Sequence, residues 1–216
     1  MGLNWDTIKT CVIDMDGTIL DLHFDHQVWH FELPRRLAKK NKQKFSEAKG
    51  KISDITKSKR GTLEWYDLGY WKTELNIDLD EIEIALSSLI KIRAGAIDFL
   101  KTLKKKDVTM ILATNAHPRG LERKLQKTDI GKFFNHIVSS HNFGVAKENL
   151  EFWQILNEKY PFENSSTFLL DDNLVVLETA RKFGLKHIYG IERPNSQGDS
   201  YSSEFFELLA DYSTLL

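Results

Sequence analysis

Between Thr10 and Ile191 the chain repeats one theme: a run of four to six mainly apolar or β-branched residues, followed by a longer stretch with helical periodicity. Strands separated this way are too far apart in sequence to form hairpins, so they lie parallel with their connecting helices on the sheet faces. The runs read as strands are Thr10–Asp14, Thr109–Ala113, His136–Ser139, Thr167–Asp171 and Lys186–Ile191. Ala94–Lys105 puts Ile97, Leu100 and Leu103 on one helical face, and Glu148–Tyr160 does so with Phe152, Trp153 and Leu156. Leu174–Phe183 reads as a helix stopped by Gly184. The expected fold class is α/β, a Rossmann-like parallel sheet.

One segment breaks the rhythm. Leu22–Ile90 lies between the first and second strand runs and has helical patterning without a convincing strand, as an inserted helical module would. The expected division is a core of residues 1–21 and 91–216 with residues 22–90 inserted. Charge is unevenly spread within the insertion: Arg35–Arg60 carries eleven Lys or Arg against Glu47 and Asp54, whereas Gly61–Ile90 carries seven acids against Lys72. Such runs ordinarily serve as solvated helix faces. The whole chain has a formal net charge of -1, which disfavours a surface committed to nucleic acid or acidic lipid and points to a small-molecule partner. The segment Met1–Lys9 lacks a leader-like pattern and no later stretch has the apolar length of a membrane span, so a cytoplasmic protein is expected. Cys11, the single cysteine, sits among apolar neighbours and reads as a buried strand residue.

Chemistry-bearing residues cluster where the strands end. Val12-Ile13 runs into Asp14-Met15-Asp16-Gly17-Thr18, Leu112-Ala113 into Thr114-Asn115, and Leu169-Leu170 into Asp171-Asp172-Asn173, while Lys147 follows the third strand run. In an open parallel sheet ligands bind beyond the carboxyl ends of the strands. Each group alone suits a turn or a helix cap; four in this order can converge on one crevice.

This ordered set resembles the four motifs of the haloacid dehalogenase superfamily of phosphotransferases, matched by Asp14-x-Asp16-Gly17-Thr18, Thr114, Lys147 and Asp171-Asp172. The resemblance implies a helical cap at residues 22–90 and a Mg²⁺-dependent phosphomonoester hydrolase. Asp14 is then the covalent nucleophile and Asp16 the acid and base. Thr114, Asn115 and Lys147 bind phosphate. Asp14, the backbone carbonyl of Asp16 and Asp171 hold the metal, and Asp172 orients its shell. A narrower likeness, to the bacterial purine 5′-nucleotidases acting on GMP and IMP, runs through Asp14–Leu22 with Phe24, Asp25 and Trp29, the segment from Gly61 to Trp71, Thr114-Asn115-Ala116-His117-Pro118, and Phe143-Gly144. Ala146 departs from it, since proline is expected before the lysine. That likeness implies a purine nucleoside monophosphate as substrate, with Trp65, Tyr66, Tyr70 and Trp71 as candidates for stacking on the base; the same four suit the interior of a small helical bundle. A sugar-phosphate phosphatase or phosphomutase shares every core residue, and a scaffold that binds phosphate without turnover shares the fold.

Overall fold

The computed structural model describes residues 3–215. Met1, Gly2 and Leu216, at the outer ends of the expected core segments, lie outside the described residues. Strand β1 (Thr10–Ile13) is buried along its whole length. It leads into six helices: α1 (His23–Gln27), α2 (Leu33–Asn41), α3 (Phe45–Lys59), α4 (Leu63–Tyr66), α5 (Leu68–Leu75) and α6 (Leu79–Ala85). A π-helical turn, Val28–Glu32, joins α1 to α2. The chain returns through α7 (Ala96–Lys105), β2 (Thr109–Thr114), α8 (Pro118–Thr128), β3 (His136–Ser139) and α9 (Leu150–Lys159), then β4 (Thr167–Leu170), α10 (Leu174–Phe183), β5 (His187–Ile191) and β6 (Glu207–Leu209).

All strand pairs are parallel and the sheet order is β3-β2-β1-β4-β5-β6, with β1 paired on both edges. Alternate strand residues feed two apolar layers, as strand pleating requires. Val12, Ile111 and Leu169 meet Phe152, Trp153 and Leu156 of α9 and Val176 and Leu177 of α10. Cys11, Ile13, Leu112 and Phe168 face Phe99, Leu100 and Leu103 of α7. Burial pushes the Cys11 thiol far up, in keeping with the inert strand residue expected. Each fully buried phenylalanine of these layers contributes roughly 1.5–3 kcal/mol.

The five expected strands are present, and β6 is a sixth that the sequence did not reveal. The expected helix at Ala94–Lys105 begins at Ala96, the one at Glu148–Tyr160 spans Leu150–Lys159, and α10 ends at Gly184, whose φ of 113° suits glycine. Between β1 and β2 the described secondary structure is helical apart from isolated bridges. Two passes of chain lead into and out of that stretch side by side: Leu20 and Ile92 bridge antiparallel, Asp21 N–H donates to the Lys91 carbonyl at 2.9 Å, and Arg93 N–H to that of Ile19 at 2.9 Å. Most of the lysines between Arg35 and Arg60 are exposed, as solvated helix faces are. No helix among the described residues is long and apolar enough to cross a membrane.

Candidate active site

β1, β2 and β4 are adjacent, so their carboxyl ends bring Asp14, Thr114 and Asp171 together. Lys147 joins them from the loop before α9. Its ammonium donates to Asp14 Oδ1 at 2.6 Å, to Asp171 Oδ2 at 2.7 Å and to the Ala113 carbonyl at 3.0 Å. The loop is fixed at its backbone, because Lys147 N–H donates to Asn115 Oδ1 at 3.0 Å and the Trp153 indole donates to the Lys147 carbonyl at 2.9 Å. Burial alone would discharge this lysine, but Asp14 and Asp171 raise its pKa and keep it cationic.

Both oxygens of Asp171 are engaged, one by Lys147 and the other by Asn173 N–H at 2.9 Å. Asp14 differs: Oδ2 is buried without a hydrogen-bond partner among the described residues. Burial, reinforced by Asp171 and Asp16 and opposed by Lys147, raises the Asp14 carboxyl from 3.8 to about 7. The Asp172 carboxylate completes the group from the Gly17 side. Burial and the nearby Asp14 and Asp171 charges push its pKa well up. Gly17, at φ 83°, is required there, since a Cβ would lie 2.3 Å from Asp172 Oδ2.

The carboxylate oxygens of Asp14, Asp171 and Asp172 converge within 4.8 Å of one another. With Lys147 as counterion, the fully ionised group carries a net charge of -2. An orphaned buried oxygen, hard oxygen donors and a double negative charge together suit a divalent cation such as Mg²⁺. The Asp16 side chain lies outside this group.

Asp16 instead accepts from Lys124 at 2.6 Å, and the same ammonium donates to Asp25 at 2.9 Å. Lys124 lies on the buried face of α8 beside Gly120 and Leu121. Burial would lower its pKa, but Asp16, Asp25 and Glu83 raise it. Sequence reading missed this lysine, because on the buried face of a helix it resembles a lapse in apolar periodicity. It also missed Glu148, which accepts from the Tyr66 hydroxyl at 2.7 Å, Asn115 Nδ2 at 2.8 Å and Asn173 Nδ2 at 3.1 Å. Thr114 is buried, and its hydroxyl oxygen accepts from Ala116 N–H at 3.0 Å.

The four aromatic candidates separate. Trp71 is 0% exposed and its indole donates to the Trp65 carbonyl at 2.7 Å. It packs in the core against Trp29, so no base can stack on it, and the expectation for Trp71 is corrected. Tyr66 stacks on Trp65 with centroids 5.6 Å apart and commits its hydroxyl to Glu148. Trp65 and Tyr70 are half-buried. A cleft of about 250 Å³ opens nearby between Arg60 and Gly61 on one side and Glu148, Asn173 and Val175 on the other.

A model of the haloacid dehalogenase-like hydrolases matches residues 8–184. The chain is 31% identical over 216 residues to the GMP/IMP nucleotidase YrfG of Escherichia coli, covering 100% of this chain and 97% of that one. It is 22% identical over 201 residues to a phosphorylated carbohydrates phosphatase of Thermotoga maritima, covering 88% of each chain. In fold it is similar to a HAD phosphatase from Thermococcus onnurineus, with a TM-score of 0.76, 17% identity and coverage of 93% of both chains. The family match spans the strand ends that carry Asp14, Thr114 and Asp171 and the loop that carries Lys147, and this chain belongs to the haloacid dehalogenase-like hydrolase family.

Proposed function

We propose that the protein is a Mg²⁺-dependent phosphatase that hydrolyses purine nucleoside 5′-monophosphates through a phosphorylated Asp14. The observation that carries the chemistry is Asp14 itself, a buried carboxylate with one oxygen on Lys147 and the other unpartnered. The sequence assigns Asp172 only to orienting the metal shell, but its carboxylate converges with those of Asp14 and Asp171, so Asp172 joins Asp14 and the backbone carbonyl of Asp16 among the residues that would hold Mg²⁺ directly. Asp171 joins the set, although both its oxygens already accept hydrogen bonds. When bound, the cation neutralises phosphate charge that would otherwise repel the attacking carboxylate.

Asp14 attacks phosphorus, the ester P–O bond breaks, and Asp16 gives its proton to the leaving alkoxide. In the second displacement Asp16 takes a proton from water, whose oxygen attacks the aspartyl-phosphate. Inorganic phosphate leaves and the Asp14 carboxylate is restored. Thr114 and Asn115 cradle phosphoryl oxygens, and Lys147 holds a positive charge beside both the nucleophile and the incoming phosphate. Residues 22–90 act as the cap, fastened to the core through Tyr66–Glu148 and Lys124–Asp25.

The nucleotide reading is supported by the 31% identity to a GMP/IMP nucleotidase along the full chain, and by the cleft at Arg60, with its guanidinium 5.9 Å from the Trp65 ring centroid. The likeness to a carbohydrate phosphatase favours a second reading, a sugar-phosphate substrate for the same chemistry. Phosphate release from GMP, IMP, ribose 5-phosphate and hexose phosphates, with Mg²⁺ supplied, separates them. We expect GMP and IMP to have the highest kcat/KM; parity with ribose 5-phosphate would discard the nucleotide reading. Asp14→Asn should leave less than about a hundredth of kcat on every substrate, and any larger residue of activity would remove Asp14 as nucleophile.

A further inference from the structure

A second convergence of ligating side chains lies outside the carboxylate group. Asp67 sits at the junction of α4 and α5, His117 just after β2, and His141 in the turn after β3. One ligand atom from each falls within 4.8 Å of the others. The imidazoles meet edge to face with centroids 5.0 Å apart. His141 Nε2 is buried with no hydrogen-bond partner among the described residues. His117 Nδ1 accepts from Arg119 N–H at 3.2 Å, which leaves Nε2 as the ligating atom. Asp67 uses Oδ1 to cap α5 by accepting from Tyr70 N–H at 2.7 Å, leaving Oδ2 for a ligand.

We propose that Asp67, His117 and His141 form a binding site for a transition-metal ion of the Zn²⁺ class, distinct from the carboxylate site. Two imidazoles and one carboxylate select such ions over Mg²⁺, which takes oxygen ligands and gives up its water reluctantly. Burial lowers the pKa of both histidines, so they are neutral and competent to ligate at neutral pH. The bound ion would clip the inserted helices, through Asp67, to the loops that follow β2 and β3. His117 lies two residues from Asn115 in the chain.

The test is Zn²⁺ binding to the full chain by calorimetry with Mg²⁺ in large excess, read beside the melting temperature. We expect one equivalent of Zn²⁺ to bind and raise the melting temperature. His117→Ala and His141→Ala should each weaken that binding by more than about tenfold and abolish the thermal shift, whereas Asp14→Asn should keep both. The histidine substitutions are made singly, and Asp67→Asn, nearly isosteric, serves as a third variant if one of them fails to fold. Absence of a Zn²⁺ equivalent in the wild type would overturn the site. So would binding that survives the histidine substitutions but is lost in Asp14→Asn, which would assign the ion to the carboxylates.

Discussion

Buried Asp14 and Asp171, with half-buried Asp172 beside them, would repel one another without a counter-charge, and the two buried lysine ammonium groups among the described residues are distributed accordingly. Lys147 serves Asp14 and Asp171, while Lys124 serves Asp16 and Asp25. Removing one partner of a buried pair leaves the other charge uncompensated, typically at a cost of about 3–5 kcal/mol. Lys124 therefore fixes where the Asp16 carboxyl stands. If Asp16 protonates the leaving group, Lys124→Met should depress hydrolysis of alkyl esters such as GMP far more than that of p-nitrophenyl phosphate, whose leaving group needs no proton. We expect kcat/KM on GMP, which reports formation of the phosphorylated Asp14 and not its hydrolysis, to fall by about a hundredfold, with a much smaller loss on the aryl ester, and Lys124→Arg to recover part of it. Equal losses on both substrates would make Lys124 a purely structural residue. Asp14, Thr114, Lys147 and Asp171 were legible in the sequence because each terminates or follows a strand. Lys124 and Glu148 were not, because their partners lie 108 and 82 residues away for Asp16 and Tyr66 respectively.

At the level of elements, what places the site is the parallel order of β1, β2 and β4, and that order follows from the crossover spacing of the apolar runs. β6 escaped because three residues paired only to β5 carry almost no periodic signal. The π-helical turn between α1 and α2 leaves none either. The start of α9 mattered more: beginning at Leu150, it leaves Glu148 in the preceding loop, free to reach Tyr66 of α4. Arg123 of α8 likewise pairs with Asp80 and Glu83 of α6. Helix α4 is thus tied to the loop before α9, and α6 to α8. Tyr66→Phe removes one of these ties without changing ring size, and loss of a hydrogen bond to a charged acceptor costs about 1.5–3 kcal/mol. We expect a lower melting temperature and a raised KM for GMP with kcat changed less. An unchanged KM would mean that the Tyr66–Glu148 tie does not shape substrate binding.

Across the whole molecule, net charge is nearly balanced at -1, yet the crevice concentrates negative charge. Its stability should therefore depend jointly on pH and divalent cation. A carboxyl whose pKa is raised on folding holds its proton more tightly in the folded than in the unfolded chain. The stability this contributes is fully present below the unfolded value and is lost as pH rises through the folded one. For Asp14 that window runs from 3.8 to about 7. Asp25 contributes a parallel loss over the same window, but its charge partner is Lys124 and it lies outside the carboxylate group. Mg²⁺ binds the ionised carboxylates in competition with protons, so the rise in melting temperature on adding Mg²⁺ should be small near about pH 5.5 and large near about pH 8. Taking the difference with and without Mg²⁺ cancels Asp25 and the histidines, whose lowered values act in the opposite direction. In Asp14→Asn the Mg²⁺ increment should shrink at high pH, while the metal-free decline persists in part through Asp25. A Mg²⁺ increment of equal size at both pH values would show that the cation binds without displacing protons from this carboxylate group.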